Sequence, residues 1–237
     1  MKLRFLVVWG LLLLLCCAGS AQVQSNGASS PIDVSAARVE YTQQDGVEIT
    51  RFSGDVVFTT ARLKVSAAKV ELHGSGDKIV ADNQVAIYFN DPEENRQGEA
   101  QGGHLEYDRT QGYLLITLKP RLKLSLAGES EPEEPREVEI FSEKMELWTE
   151  TDRALATGKV LIRQPDFEAS GEQAEFFLAE EKLVLSGEPQ VKRGQNTFRG
   201  ELITIYIKTG QMNIEGNVTG QVSGESMDEP AAKQPVK

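Results

Sequence analysis

The sequence predicts an all-β fold: repeated antiparallel strands stacked into one elongated domain. Three observations carry that prediction. The first is alternation. Between Ser170 and Val191, Ala174, Phe176 and Leu178 alternate with Glu175, Phe177 and Ala179. After a polar turn at Glu180 and Glu181, Leu183 and Leu185 alternate with Lys182 and Ser186. A period of two is the signature of a half-buried strand. The second observation is recurrence. The same pattern precedes this stretch from Ser142 to Val160 and follows it from Gly200 to Val218, at one constant offset in both directions. The third is a fixed turn residue, because Gly158, Gly187 and Gly216 hold one column of the three units. A repeat of this length marks a supersecondary unit that buries its apolar face only by stacking on its neighbours.

The chain opens with a targeting segment, Met1 to Ala21. Lys2 and Arg4 form a basic start, Phe5 to Leu15 an apolar stretch, and Gly19-Ser20-Ala21 a small-residue cleavage site. The apolar stretch is shorter than the ~20 residues of a membrane span. Neither Cys16 nor Cys17 follows the small residue that lipid attachment calls for, so cleavage after Ala21 is expected. Cleavage removes both cysteines and two basic residues. The formal charge moves from −11 to −13, and no thiol or disulfide remains. A chain this acidic lacks the Lys/Arg clusters that bind phosphate backbones, which excludes a nucleic-acid partner.

Residues 22–33 are rich in Ser, Gly and Asn and read as a flexible tail. Residues 34–222 carry the repeats. Their apolar anchors are Val39, Val70, Leu105, Met145, Ala174 and Ile203. The last three are evenly spaced, and the intervals on either side of Leu105 are the longest. Asn83 takes the glycine column of the second repeat, as Asn tolerates the left-handed turn conformation. The longer intervals come from two polar inserts, Asp91 to Arg96 and Gly128 to Glu137, both read as loops. Residues 223–237 have no period and read as a disordered tail. The sequence therefore predicts four parts: signal peptide, flexible tail, one β domain and a disordered tail.

A glutamate follows each of the first five anchors: Glu40, Glu71, Glu106, Glu146 and Glu175. A row of carboxylates is one route to a cation site. The alternation favours a solvated outer face, with Arg38, Lys69 and Lys144 close enough in sequence to offset the repulsion. No catalytic motif is present. His73 and His104 lack ligand spacing and read as surface residues, so no metal, cofactor or enzymatic activity is expected. The aromatics are few and scattered along the sequence, which speaks against a carbohydrate-stacking cleft. Aliphatic side chains dominate the inward columns. They suit either an apolar trough for hydrocarbon chains or an ordinary packed core, and the sequence leaves both open.

The segments Ser66 to Phe89, Gly102 to Thr117 and Gly200 to Val218 resemble the OstA-like repeat, found in the LptA family of periplasmic lipopolysaccharide-transport proteins and in the related LptC and LptD N-terminal domains. The resemblance covers residues 34–222. It implies a twisted, open β-jellyroll with an apolar interior and two unpaired ends. It also implies a periplasmic bridge that carries lipopolysaccharide from the inner to the outer membrane. The partners it implies are the acyl chains of lipid A and, by edge-strand pairing, LptC-like and LptD-like domains and further copies of the chain itself. The lipid-facing role falls on the matching inward columns. In the first two repeats these are Val56, Phe58, Val70, Leu72, Val85 and Ile87. In the third they are Leu105, Tyr107, Leu122 and Leu124. The remaining repeats give Met145, Leu147, Val160, Ile162, Phe176, Leu178, Ile203 and Ile205. Three alternatives stand beside this reading: a membrane-tethered, LptC-like component that keeps residues 1–21, a structural β-solenoid with a filled core, and, with the least support, a secreted enzyme.

Overall fold

The computed structural model describes residues 33–59, 63–74, 76–91, 96–108, 110–126, 136–148, 151, 153–177, 180, 182–207 and 209–223. The expectations for the signal peptide, for most of both tails, for most of each polar insert and for Leu178 fall outside these residues.

Alternation becomes strand throughout. The elements begin with β1 (Asp33–Ser35), β2 (Arg38–Gln44), β3 (Val47–Thr59), β4 (Leu63–His73), β5 (Lys78–Asp91) and β6 (Arg96–Asp108). They continue with β7 (Tyr113–Thr117), β8 (Arg121–Leu126), β9 (Arg136–Phe141), β10 (Lys144–Trp148), β11 (Arg153–Arg163) and β12 (Glu168–Phe177). The last six are β13 (Lys182–Ser186), β14 (Gln190–Arg193), β15 (Asn196–Arg199), β16 (Leu202–Tyr206), β17 (Met212–Glu215) and β18 (Thr219–Gln221). Every ladder is antiparallel, and the fold is a twisted, open β-jellyroll.

The ladders sort the strands into two wings. In the first wing the order is β2, β3, β4, β5, β6, β7, β10, β11, β12, β13, β16, β17. In the second it is β1, β3, β4, β5, β6, β8, β9, β11, β12, β14, β15, β18. The long strands β3, β4, β5, β6, β11 and β12 belong to both wings, one half in each. They bend where the ladder breaks, for example between Ser53 and Val56 and between Thr157 and Val160. Each repeat unit is therefore a hairpin in one wing followed by a hairpin in the other.

The bends define a spine along which the wings join. The chain passes from the first wing to the second at Gly54, Asn83, Leu118, Gly158, Gly187 and Gly216, all with positive φ, and each is followed by a second positive-φ residue. Gly187 shows why the column prefers glycine. Its φ is +72°, and a Cβ there would stand 2.6 Å from the Cβ of Glu172 on the adjoining corner. The two corners are also tied by a hydrogen bond, with the Glu172 N–H donating to the Gly187 carbonyl at 3.0 Å. The same bond recurs from Glu143 to Gly158 and from Glu201 to Gly216. Asn83 holds the conformation expected of it. Leu118 was not foreseen in this column, because nothing in a leucine signals a left-handed backbone; its corner is imposed by the pairing of β7 and β8 with their neighbours.

Candidate functional site

The two wings face each other across an apolar interior. In the first wing one inward row runs Phe52, Val70, Ala81, Leu105, Ile116, Met145 and on through Ala156, Ala174, Leu185, Ile203 to Ile214, each residue directly opposite the next. The second wing answers with Phe58, Val65, Ile87, Ala100, Leu122, Ile140 and on through Ile162, Ala169, Val191 to Phe198. Such rows form because a strand sends every second side chain to one face, and the repeat keeps the apolar positions in phase.

The core has two parts. One cluster gathers residues from Val56 to Ile116, the other residues from Val138 to Ile205, and Met145 packs against both. The inward columns read from sequence separate into two sets. Val56, Val70, Val85, Ile87, Leu105 and Tyr107 are buried, as are Val160, Ile162, Ile203 and Ile205. Phe58, Leu72, Leu122, Leu124, Met145, Leu147 and Phe176 are only partly buried. The partly buried set includes the middle of the molecule, where the clusters meet. In the first wing it also includes Leu72, Leu114, Leu147 and Phe176, one rung nearer the hairpin tips, in a row whose Ile79, Tyr107, Leu183 and Ile205 are buried. In the row nearest the spine all but Phe52, Met145 and Ile214 are buried. Sealing is thus tightest toward the spine, where the wings converge.

The outer face of the first wing carries the glutamate row, and the ladders separate its charges. Glu71, Glu106, Glu146 and Glu175 alternate with Val80, Leu115 and Leu155 across the strands, so no two carboxylates are directly opposed. Each finds a cation: Glu40 with Arg38, Glu71 with Arg51 at 2.9 Å and Lys69 at 2.8 Å, Glu106 with Lys78 at 2.9 Å, Glu146 with Lys144 at 2.8 Å, Glu175 with Arg153. The Lys69 hydrogen bond, with Arg51, holds the Glu71 carboxyl below the usual carboxylate range, and Lys78 does the same for Glu106. At Glu146 burial pushes upward, but hydrogen bonds from Lys144 and from the Tyr113 hydroxyl outweigh it. Burial and that same contact, 2.7 Å long, raise Tyr113 to about 12. This row is a paired outer face.

His104 is more than a surface residue. Its Nδ1 lies 2.6 Å from Asp82 Oδ1 and its Nε2 3.1 Å from Glu106 Oε1. Two carboxylate neighbours call for a proton on each nitrogen. The Asp82 hydrogen bond, aided by Glu106 and opposed by partial burial, raises the pKa above the ordinary 6.5. The stabilisation from this bracket is complete below the unfolded value and is lost as pH rises through the raised folded value. Replacing His104 with Gln is therefore expected to lower Tm most at about pH 6, with a deficit that shrinks above the ordinary histidine range. A deficit independent of pH would show that the imidazolium is not the stabilising form.

The register adds an alignment that the sequence analysis did not draw. Four aromatics far apart in the sequence, Tyr113, Trp148, Phe177 and Tyr206, fall on one outward row at the strand ends of the first wing. The signal was present in the sequence. Trp148, Phe177 and Tyr206 recur at the same interval as the anchors Met145, Ala174 and Ile203. Their place at the rim, however, depends on where the hairpins end.

Comparison with known proteins identifies the repeat. Residues 33–131 and 136–211 match the family model described as LptA/(LptD N-terminal domain) LPS transport protein. The chain belongs to this family. Membership makes the repeat that of a lipopolysaccharide-transport protein, in agreement with the resemblance read from the sequence. Among solved structures, the chain is similar to LptH from Pseudomonas aeruginosa, the LptA homologous periplasmic component of its lipopolysaccharide transport device, at 14% identity. That match covers 82% of this chain and 96% of the other, with a TM-score of 0.26. No curated protein matches.

Proposed function

We propose that this protein is a periplasmic bridge that carries lipopolysaccharide from the inner to the outer membrane, holding the acyl chains between its wings. The observation that carries the reading is the pair of apolar rows running across the wings and reaching strands paired on one side only. An acyl chain in water costs ~0.8 kcal/mol per exposed methylene, on the order of 10 kcal/mol for a chain of about a dozen carbons. A continuous apolar lining removes that cost while the sugars stay in water. Nothing in the lining prescribes a hydrogen-bond pattern, which suits a ligand that has to slide.

The ends support the bridging role. Among the described residues β1 and β2 pair only with β3, β17 pairs only with β16, and β18 only with β15. Each end therefore offers one edge strand per wing with free backbone groups, the arrangement by which like domains add strands to each other. Near the first end Val34, Val39 and Tyr41 are exposed, at 45%, 42% and 80%. Val34 and Val39 directly oppose Phe58 and Phe52 of the two inward rows. A docked LptC-like or LptD-like domain, or a second copy, would cover them and extend the lining.

Site-specific photocrosslinking in cells that make lipopolysaccharide tests the reading. A photoreactive residue at Leu147 or Phe176 is expected to capture lipid, while the same residue at Lys123 or Glu139, on the outer face of the second wing, is not. No adduct at any of the four, in folded periplasmic protein, would favour a filled structural core, a reading that the sealed residues near the spine support. Adducts in protein that retains residues 1–21 by mass would favour the membrane-tethered form.

A further inference from the structure

We infer that the outward row at the rim of the first wing is a saccharide-stacking track that holds the sugar portion of the same glycolipid. This rests on the acyl-binding reading above and adds a second site to it.

The row occupies the last paired rung of each hairpin. Reading across the strands, it runs Tyr113, Trp148, Arg153, Phe177, Lys182 and Tyr206. Six adjacent strands at the usual ~4.8 Å spacing make a track about 24 Å long. From Trp148 to Phe177 to Tyr206 the rings recur on every second strand, roughly 10 Å apart, the scale of a disaccharide. Cations fill the strands between and fix the rings. The Arg153 guanidinium lies 5.6 Å from the Trp148 ring centre, and the Lys182 ammonium 4.5 Å from that of Phe177. Tyr113 packs against Trp148 at a tilt of 49°, its ring centre 5.6 Å away.

Position ties this track to the interior. Leu147 and Trp148, Phe176 and Phe177, and Ile205 and Tyr206 are consecutive pairs. In a strand, consecutive side chains point to opposite faces. Each pair therefore places an aliphatic or aromatic side chain inside the rim and an aromatic one outside it. A ligand with acyl chains within and sugars passing over the rim meets the partly buried Leu147 and Phe176 on its inner side and Trp148 and Phe177 on its outer side.

The flanking charges choose the occupant. Glu146, Glu175 and Glu180 sit beside the row, with Arg153 paired to Glu175 and Lys182 to Glu180. Cations already paired with carboxylates are a poor match for phosphates, whether of a membrane surface or of the glycolipid's own headgroup, so the row is matched to the neutral sugars of that ligand. Rings interleaved with paired charges are equally unsuited to a wholly apolar partner. A sugar fits both features, presenting C–H faces to the rings and hydroxyls to the charged groups between them.

The sequence has two tryptophans, Trp9 in the segment expected to be cleaved and Trp148, so protein beginning at Gln22 carries Trp148 as its sole tryptophan reporter. The probe is fully deacylated lipopolysaccharide, which keeps the sugars and phosphates and loses the acyl chains. Saturable change of Trp148 emission is expected, with affinity falling about tenfold in Phe177→Ala with Tyr206→Ala, one step of ~1.4 kcal/mol. The same double variant is expected to bind an apolar acyl probe as the parent does, which confirms that it is folded. No response to the deacylated probe, with acyl binding intact, overturns the track and leaves the bridge reading standing. An equal response to an unrelated neutral glucan overturns the assignment to this glycolipid. Loss of acyl binding in the parent protein sinks the bridge reading and this inference with it.

Discussion

Replacing Leu185 with Ala is expected to destabilise the protein by about 3–4 kcal/mol, while Leu147→Ala costs roughly 1 kcal/mol. Both residues are leucines on inward rows, so the difference lies in their surroundings. Leu185 is 0% exposed and is flanked by Ala174 and Ile203, each also 0% exposed. Removing its side chain leaves a cavity that converging wings cannot close, and the cavity adds to the lost transfer free energy. Leu147 sits one rung nearer the rim, only partly buried, between Leu114 and Ala154. Water already reaches it, so less is lost. Urea unfolding of the two variants measures the contrast. Equal costs would mean that the rim is packed as tightly as the spine, and a groove opening between the wings would then have no physical basis.

Gly187→Ala is expected to cost roughly 3 kcal/mol, against about 1 kcal/mol for Gly194→Ala. Both glycines have positive φ, +72° and +57°, so both substitutions incur the left-handed penalty for a Cβ. Gly194 lies in the hairpin between β14 and β15 and has nothing within 4 Å of an added Cβ. Gly187 lies on the spine, where that Cβ meets the Cβ of Glu172 at 2.6 Å. The corner has to shift, and the hydrogen bond from the Glu172 N–H to the Gly187 carbonyl is strained with it. Thermal or urea unfolding resolves the two. If Gly187→Ala proved as mild as Gly194→Ala, close contact between corners would not be what keeps glycine in this column. Gly158 and Gly216 make the same contacts, with Glu143 and Glu201, and are expected to follow Gly187.

Both contrasts bear on function. The spine holds the two wings at a fixed relation, and the apolar rows are useful to a lipid only if that relation leaves the rim accessible. A sealed spine with a looser rim is the form that the proposed acyl-binding groove requires. It also explains why the inward residues are not equivalent. On the proposed function Phe176 and Leu147, partly buried, meet the ligand in the resting protein, whereas the buried Ile203 and Val160 are reached only if the wings part.

Strand class, the repeat unit and the sharing of faces were all legible before any folding was considered. Period-two alternation is a local property, and a strand has no choice about sending neighbours to opposite sides. The column of Gly158, Gly187 and Gly216, with Asn83, was legible for the same reason, since a backbone conformation restricts the residue that adopts it. The inward placement of Val70, Leu105, Met145 and Ile203 followed from these two facts. The remaining features needed the fold. That each unit splits into one hairpin per wing depends on bulges and corners whose pairing partners lie in other repeats. Leu118 occupies a glycine-like corner with no local sign of it. His104 gains Asp82 only through the β5–β6 ladder, and the glutamate row finds Arg51 and Arg153 only across strands. The rim of Tyr113, Trp148, Phe177 and Tyr206 was dispersed along the chain until the ladders aligned the hairpin ends. Periodicity fixes what each strand presents. Which residues then meet is set by register between distant strands, and register is a property of the folded whole.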